Sequence, residues 1–301
     1  MEGFYYEEHL VFDPTVSSHY EVLLLPSVPH ELDITSKFVE GSEWPPSPCV
    51  VQVYSSRIRR WEERLFVREG EAAGTIADVQ LGRGSYHLYA AYWHRELYVH
   101  CKGDFLMRII LSENKYQVIK LPASVNTEPY LEPRIGKSKR GVYLACMNDD
   151  EVNLRIWFLN KFSGKIQWIL KHDIDLDMVI RVSQYYDDRT GGPWVLENHY
   201  SKDNEGSMVE ENIEWDSDND NILDNENVCE NQPSCIFMYG FHPYKEIVFF
   251  HVSSTRAIAY HLNSSKVQDL GKLRLYYYDE YGMRTSFVYT PCWKGDLSEE
   301  N

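Results

Sequence analysis

One pattern comes round five times along the 301 residues: an alternating apolar strand, a short polar turn, and a second strand centred on an aromatic or β-branched residue. The copies are LVFDPTVSSHYEVLLLP (Leu10 to Pro26), VQVYSSRIRRWEERLFV (Val51 to Val67), LMRIILSENKYQVIKLP (Leu106 to Pro122), LRIWFLNKFSGKIQWILKH (Leu154 to His172) and AIAYHLNSSKVQDLGKL (Ala257 to Leu273). They start 41, 55, 48 and 103 residues apart. Such spacing suits propeller blades of about 40 to 50 residues, with the last interval doubled. The fold expected is all-β: a β-propeller of five or six four-stranded antiparallel blades, possibly incomplete. Stacking sheets radially buries faces that one sheet alone leaves in water.

Further strands lie in front of the hairpins. Tyr89–Cys101 reads as two β runs broken at His94 and Arg95, Gly141–Met147 as one strand, and Ile236–Val252 as two. Leu97, Val99 and Cys101 should face one way, with Tyr98 and His100 facing the other. Helix content should be low, because no 11-residue window combines helical periodicity with caps. One domain over residues 1–301 is expected, and the run Ser286–Trp293 is a candidate to complete the first blade. The Ser-, Gly- and Pro-rich segment Ser36–Pro48 reads as a surface loop. A sixth, degenerate blade has room between Asp173 and Ser234.

A hydrophobic share of 43% supplies ample core, while the formal charge of −16 is unevenly placed. Residues 202–230 hold eleven Asp or Glu against one Lys, so most of the excess sits in an acidic, flexible insertion at about 198–233. Nucleic acid is not expected as a ligand, since a chain of this sign lacks a positive footprint. Anionic membranes are disfavoured likewise. The start MEGFYYEEHL has neither the basic nor the apolar region of a signal peptide, and no apolar stretch approaches the roughly 20 residues of a span. The expected place is cytoplasm or nucleus. Six Cys occur without a C-x-x-C pair, several inside strands, which predicts reduced and mostly buried thiols.

The sequence carries no G-x-S-x-G, no H-E-x-x-H and no Walker loop. A non-enzymatic chain without cofactor is expected. Asp216, Asp218, Asp220 and Asp224 fall at positions 1, 3, 5 and 9 of an EF-hand register, the alternation that Ca²⁺ uses. Asn221 stands where that loop needs Gly and Asn227 where it needs Glu, so a solvated acidic loop is the preferred reading over a metal site. His100, His251 and His261 read as strand-face residues. Trp61, Tyr116 and Trp168, equivalent in successive hairpins, read as packing residues. Trp44 and Trp194, in loops, are the candidates for partner contact.

A likeness covers nearly the whole chain in collinear order. FDPTVSSHYEVLLLP, EWPPSPCVVQVYSS, RWEERLFVREGEAAGTIADV, ELYVHC, NKYQVIKLP, WILKHDIDL, EWDSDNDNILD, GFHPYKEIVFF and AYHLNSSKVQDLG together resemble the F-box-associated region of plant, particularly grass, F-box proteins. The resemblance implies a kelch-like propeller that recruits the substrate of an SCF-type E3 ubiquitin ligase. In that family a helical F-box docks on a Skp-type adaptor, and residues 1–50 lack its pattern, so adaptor binding is not expected of this polypeptide. The alternative is a propeller that binds protein partners without delivering ubiquitin, or a decayed product; a propeller enzyme or lectin ranks behind both.

Overall fold

Alternation decides the strands. In the second and fourth of them, Leu23, Leu25, Cys49, Val51 and Val53 are buried while their neighbours are only partly so, the period-2 pattern of a sheet with one face on a core. The computed structural model describes residues 5–28, 41–81, 89–125, 133–148, 152–162, 164–185, 215–218, 222–223, 236–252 and 256–272. About 60% of these are strand and 9% helix, so the chain is mostly β. They belong to two compact units, one holding the described residues up to Val125 and the other those from Pro133 to Lys272.

The first unit contains β1 (Tyr5–Val11), β2 (Glu21–Ser27), β3 (Glu43–Trp44), β4 (Cys49–Ser55), β5 (Arg60–Glu69), β6 (Gly74–Thr75), α1 (Ile76–Leu81), β7 (Ala90–Trp93), β8 (Glu96–Cys101), β9 (Phe105–Ile110) and β10 (Lys115–Lys120). Eight of them form one sheet in the order β1-β2-β4-β5-β10-β9-β8-β7. Each half is an antiparallel meander, and a short parallel ladder, Lys115–Gln117 on Val67–Glu69, joins them. Both halves line the same core: Leu23, Val51, Val53 and Phe66 from one, Leu97, Val99, Phe105, Met107 and Tyr116 from the other. The sheet is therefore folded over and nearly closed. Beside the seam the Arg108 guanidinium donates to the Gln117 side chain at 2.7 Å, and across it Gln117 donates to Glu69 at 3.1 Å and Lys115 pairs with Glu69 at 2.8 Å.

The β7–β8 hairpin turns at His94 and Arg95, where the sequence pattern breaks. Both residues have positive φ, 49° and 64°, as a two-residue turn matched to the strand twist requires. Leu97, Val99 and Cys101 lie on the face toward the shared core, as the alternation predicts.

The second unit contains β11 (Arg134–Ser138), β12 (Gly141–Asn148), β13 (Asn153–Phe162), β14 (Lys165–Asp175), α2 (Asp177–Tyr185), β15 (Ile236–Phe241), β16 (Ile247–Val252), β17 (Arg256–His261) and β18 (Val267–Lys272). Its sheets β11-β12-β13-β14 and β15-β16-β17-β18 are sequential antiparallel meanders. Tyr143, Leu154 and Ile156 from one share a core with Val248, Phe250 and Ile258 from the other, and Leu176, Val179 and Ile180 at α2 complete it. Gly136 in β11 sits against Phe241: a Cβ there would lie 2.4 Å from the ring. Gly136→Ala should destabilise the second unit by about 1–3 kcal/mol through overpacking, read as a lowered urea midpoint.

The five hairpin copies thus distribute over four meanders. Leu10–Pro26 and Val51–Val67 together make one meander, because Glu21–Leu24 of β2 pairs with Ser55–Gln52 of β4. Helix α2 is an addition to the expected low helix content. Its nine residues fall short of an 11-residue window, yet Val179, Ile180 and Ser183 make a buried i, i+1, i+4 stripe.

Candidate functional site

In β5 the buried residue is Phe66, whereas Trp61 and Leu65 are exposed, so the face turned away from the core is itself apolar. Cross-strand register builds one row over four strands: Leu10 opposite Val22, Val22 opposite Tyr54, Tyr54 opposite Trp61. Toward the turns the row becomes an aromatic ladder. Ring centroids run Phe12 to Tyr20 at 6.5 Å, Tyr20 to Tyr54 at 6.3 Å and Tyr54 to Trp61 at 5.4 Å. Trp61 is 48% exposed and Tyr20 40%, large values for rings that normally bury themselves.

Two turns fix this end. The Asp13 carboxylate accepts from the Thr15 N–H at 3.0 Å and its hydroxyl at 2.6 Å, an Asx turn after β1. The β4–β5 turn closes when the Arg59 N–H donates to the Ser55 carbonyl at 2.7 Å, with Arg59 at φ 54°. The two turns are tied together: the Tyr20 N–H donates to the Ser56 hydroxyl at 2.8 Å and the Ser56 N–H to the Tyr20 carbonyl at 3.0 Å. Upon that scaffold Arg57, Ile58, Arg59 and Arg60 are all exposed. Among the described residues, none of these three arginines makes an ion pair. Arg64, by contrast, is held by Glu21 at 2.8 Å and by Glu62 at 3.7 Å. Nearby, partial burial first, then the Asp13 and Glu21 carboxylates, raise the Tyr92 phenol, and Trp93 stacks on His94 with centroids 3.8 Å apart.

No family model matches the chain, and no curated protein matches it.

Arginine and tryptophan are the residues that dominate protein contacts, and here they stand exposed on a braced turn. A guanidinium fork accepts a carboxylate, and the ladder offers an apolar shelf beside it.

Other predicted site residues lie elsewhere. Trp44 is corrected from a contact residue to a core residue. It is 4% exposed and packs with Val51 and Phe105 in the first core. Its carbonyl accepts from Ala73 at 2.9 Å, and the β3–β6 bridge pins Glu43 and Trp44. The Pro-rich segment after it is held too: the Tyr116 hydroxyl lies 3.0 and 2.8 Å from the carbonyls of Pro45 and Pro46. Tyr116 is the packing residue expected, fully buried, but Trp61 is not, and Trp168 is half-buried.

Trp194, Asp220 and Asp224 lie outside the described residues. Asp216 caps the Asp218 N–H at 2.8 Å, and Asp218 pairs with Lys245 at 3.0 Å. The Asp218 carboxylate thus faces a lysine. Among the described residues no group of three His, Cys, Asp or Glu side chains is placed to hold a metal. The described pieces of the acidic stretch are packed: Trp215 lies 5.7 Å from Phe249, and the Leu223 N–H donates to the Val267 carbonyl at 2.8 Å. His100 and His251 are buried in strands, and the His261 ring meets Gln268 at 2.6 Å. Cys49 and Cys146 are buried, with burial pushing the Cys49 thiol up to about 12. Among the described residues no helix is long and apolar enough to cross a membrane.

The arginines were missed as a site, although the sequence carries a signal for them. The string RIRRW puts three arginines in four residues of a chain whose formal charge is −16.

Proposed function

We propose that this chain is a non-enzymatic protein-interaction module of the F-box-associated, kelch-like propeller type. Its four described meanders are blades, and its role is to recognise the substrate of an SCF-type ubiquitin ligase. The observation that carries the reading is the run of four up-and-down meanders of four strands each, the first two joined into one eight-stranded sheet and the last two forming sheets of their own, the meander being the unit from which propellers are assembled. The exposed Arg and Trp residues at the β4–β5 turn support a contact role over a catalytic one. Delivery of ubiquitin needs an adaptor-binding F-box, and partner recognition does not.

The test separates the two. The chain, used as bait beside an unrelated all-β protein, should retain a distinct set of proteins. Fused behind an F-box known to bind a Skp-type adaptor, it should lower their abundance in a proteasome-dependent way. A retained set no different from the control overturns the reading. Retention without turnover by the fusion leaves the binder and removes the ligase role.

A further inference from the structure

We infer that the turn end of the β4–β5 hairpin docks an acidic peptide segment of a partner protein, with carboxylates on Arg57, Arg59 and Arg60 and an apolar residue on the Tyr20–Tyr54–Trp61 ladder. This rests on the interaction-module reading and names the partner's chemistry. The charge argument comes first. A chain with a surplus of 16 negative charges keeps three exposed arginines within four residues. Among the described residues no carboxylate neutralises them, although Glu62 and Glu63 are adjacent in sequence. Glu62 is taken up by Arg64 and Glu63 by Gln52 at 3.1 Å. Among the described residues the three guanidinium groups thus have no carboxylate partner.

The shape argument is independent of charge. Four strands at about 4.8 Å spacing make the row from Leu10 to Trp61 about 14 Å wide, the length of about four extended residues. Next to that row stand Glu8, Leu24, Gln52 and Glu63, related by the same register. A ligand crossing the ladder meets guanidinium on one side and carboxylate on the other. A nucleic acid carries a phosphate at every residue and would run onto Glu8 and Glu63. A peptide with carboxylates at one end and an apolar residue behind them fits the alternation.

The probe is a fluorescein-labelled 12-residue peptide with five Asp or Glu around one Leu, titrated into the intact chain beside its Asn/Gln counterpart. The acidic peptide should bind and the neutral one should not, and affinity should fall steeply between about 50 and about 500 mM salt. Arg57→Gln, Arg59→Gln and Arg60→Gln together should weaken it about tenfold or more, while the three Lys replacements retain most of it. Trp61→Ala should weaken binding severalfold with an unchanged urea midpoint, since the ring is exposed.

Equal binding of both peptides, or wild-type affinity in the Gln variant, overturns the inference. So does a 12-nucleotide single strand that binds as tightly. Salt-sensitive self-association abolished by the Gln variant would make a second copy's acidic stretch the occupant and overturn it too. If the Gln variant captures the same proteins as the wild type while no acidic peptide binds, the inference fails and the module reading stands. If the wild type captures nothing specific, the module reading fails whatever the peptide does.

Discussion

Asp269→Ala should lower the stability of the second unit by about 3–5 kcal/mol, the loss seen when one member of a buried ion pair is removed. Arg256 and Asp269 are 1% and 2% exposed, and Nη1 of Arg256 lies 2.5 Å from Oδ2 of Asp269. The other carboxylate oxygen accepts from the Gly271 N–H at 3.0 Å. Alanine removes the Asp269 carboxylate from a buried guanidinium and strips Gly271 of its acceptor. Asp269→Asn keeps an acceptor of the same shape and should fall between alanine and wild type. Replacing both members, Arg256→Met with Asp269→Leu, should restore much of the loss, because two apolar groups need no compensation there. Urea midpoints of the four chains check this ordering; an alanine variant within about 1 kcal/mol of wild type would show that the pair contributes little to the second unit.

Acid should lower the stability of the first unit between about pH 6.5 and pH 4. Burial pushes the His9 and His100 rings from 6.5 down to about 4. For His100 a contact with the Gly103 backbone works in the other direction without reversing it. In the unfolded chain these rings take up protons near pH 6.5, and in the folded chain only near pH 4. Between those values the unfolded state binds more protons, so stability is fully present above about 6.5 and is lost as pH falls toward 4. The loss is on the order of 2–3 kcal/mol per ring. Glu7, 4.0 Å from His9, opposes it: burial raises its carboxyl, so its contribution is present at low pH and lost as pH rises. Asp104, also raised by burial, opposes it in the same sense; the two rings are displaced further than the two carboxyls, so a net decline remains. The half-buried His172 and His242 rings, also lowered by burial, act in the same direction in the second unit. His9→Leu with His100→Leu should flatten the first unit's dependence between pH 7 and pH 4.5; an unchanged slope would place the sensitivity elsewhere.

Much of the β architecture was legible because alternation is a local property. His94 and Arg95 broke two alternating runs, and a two-residue turn stands there. What the pattern could not supply was pairing. A hairpin looks the same whether it is the inner or outer half of a sheet, so the copies at Leu10 and Val51 read as two blades when β2–β4 pairing makes them one sheet. Strand β11, RIGKS, has one large apolar residue and no alternation to find.

The tryptophans failed for a related reason. Trp61 and Tyr116 hold similar places in their hairpins, but Trp61 pairs with Tyr54 on the outer face and Tyr116 with Ile109 on the core face. A shift of one residue in phase exchanges the two faces. Trp44 sits in a Pro-rich string that reads as a loop, and only hydrogen bonds from Ala73 and Tyr116, 29 and about 70 residues away, draw that string into the core.

Recognition of a protein partner through the turn end of the first sheet, as proposed, is open to a direct test. Hydrogen–deuterium exchange on the intact chain, with and without a captured partner, tests it most directly. Protection concentrated in residues 54–61 and 12–20 is the predicted result. Protection elsewhere, with those two turns exchanging as in the free chain, would contradict it.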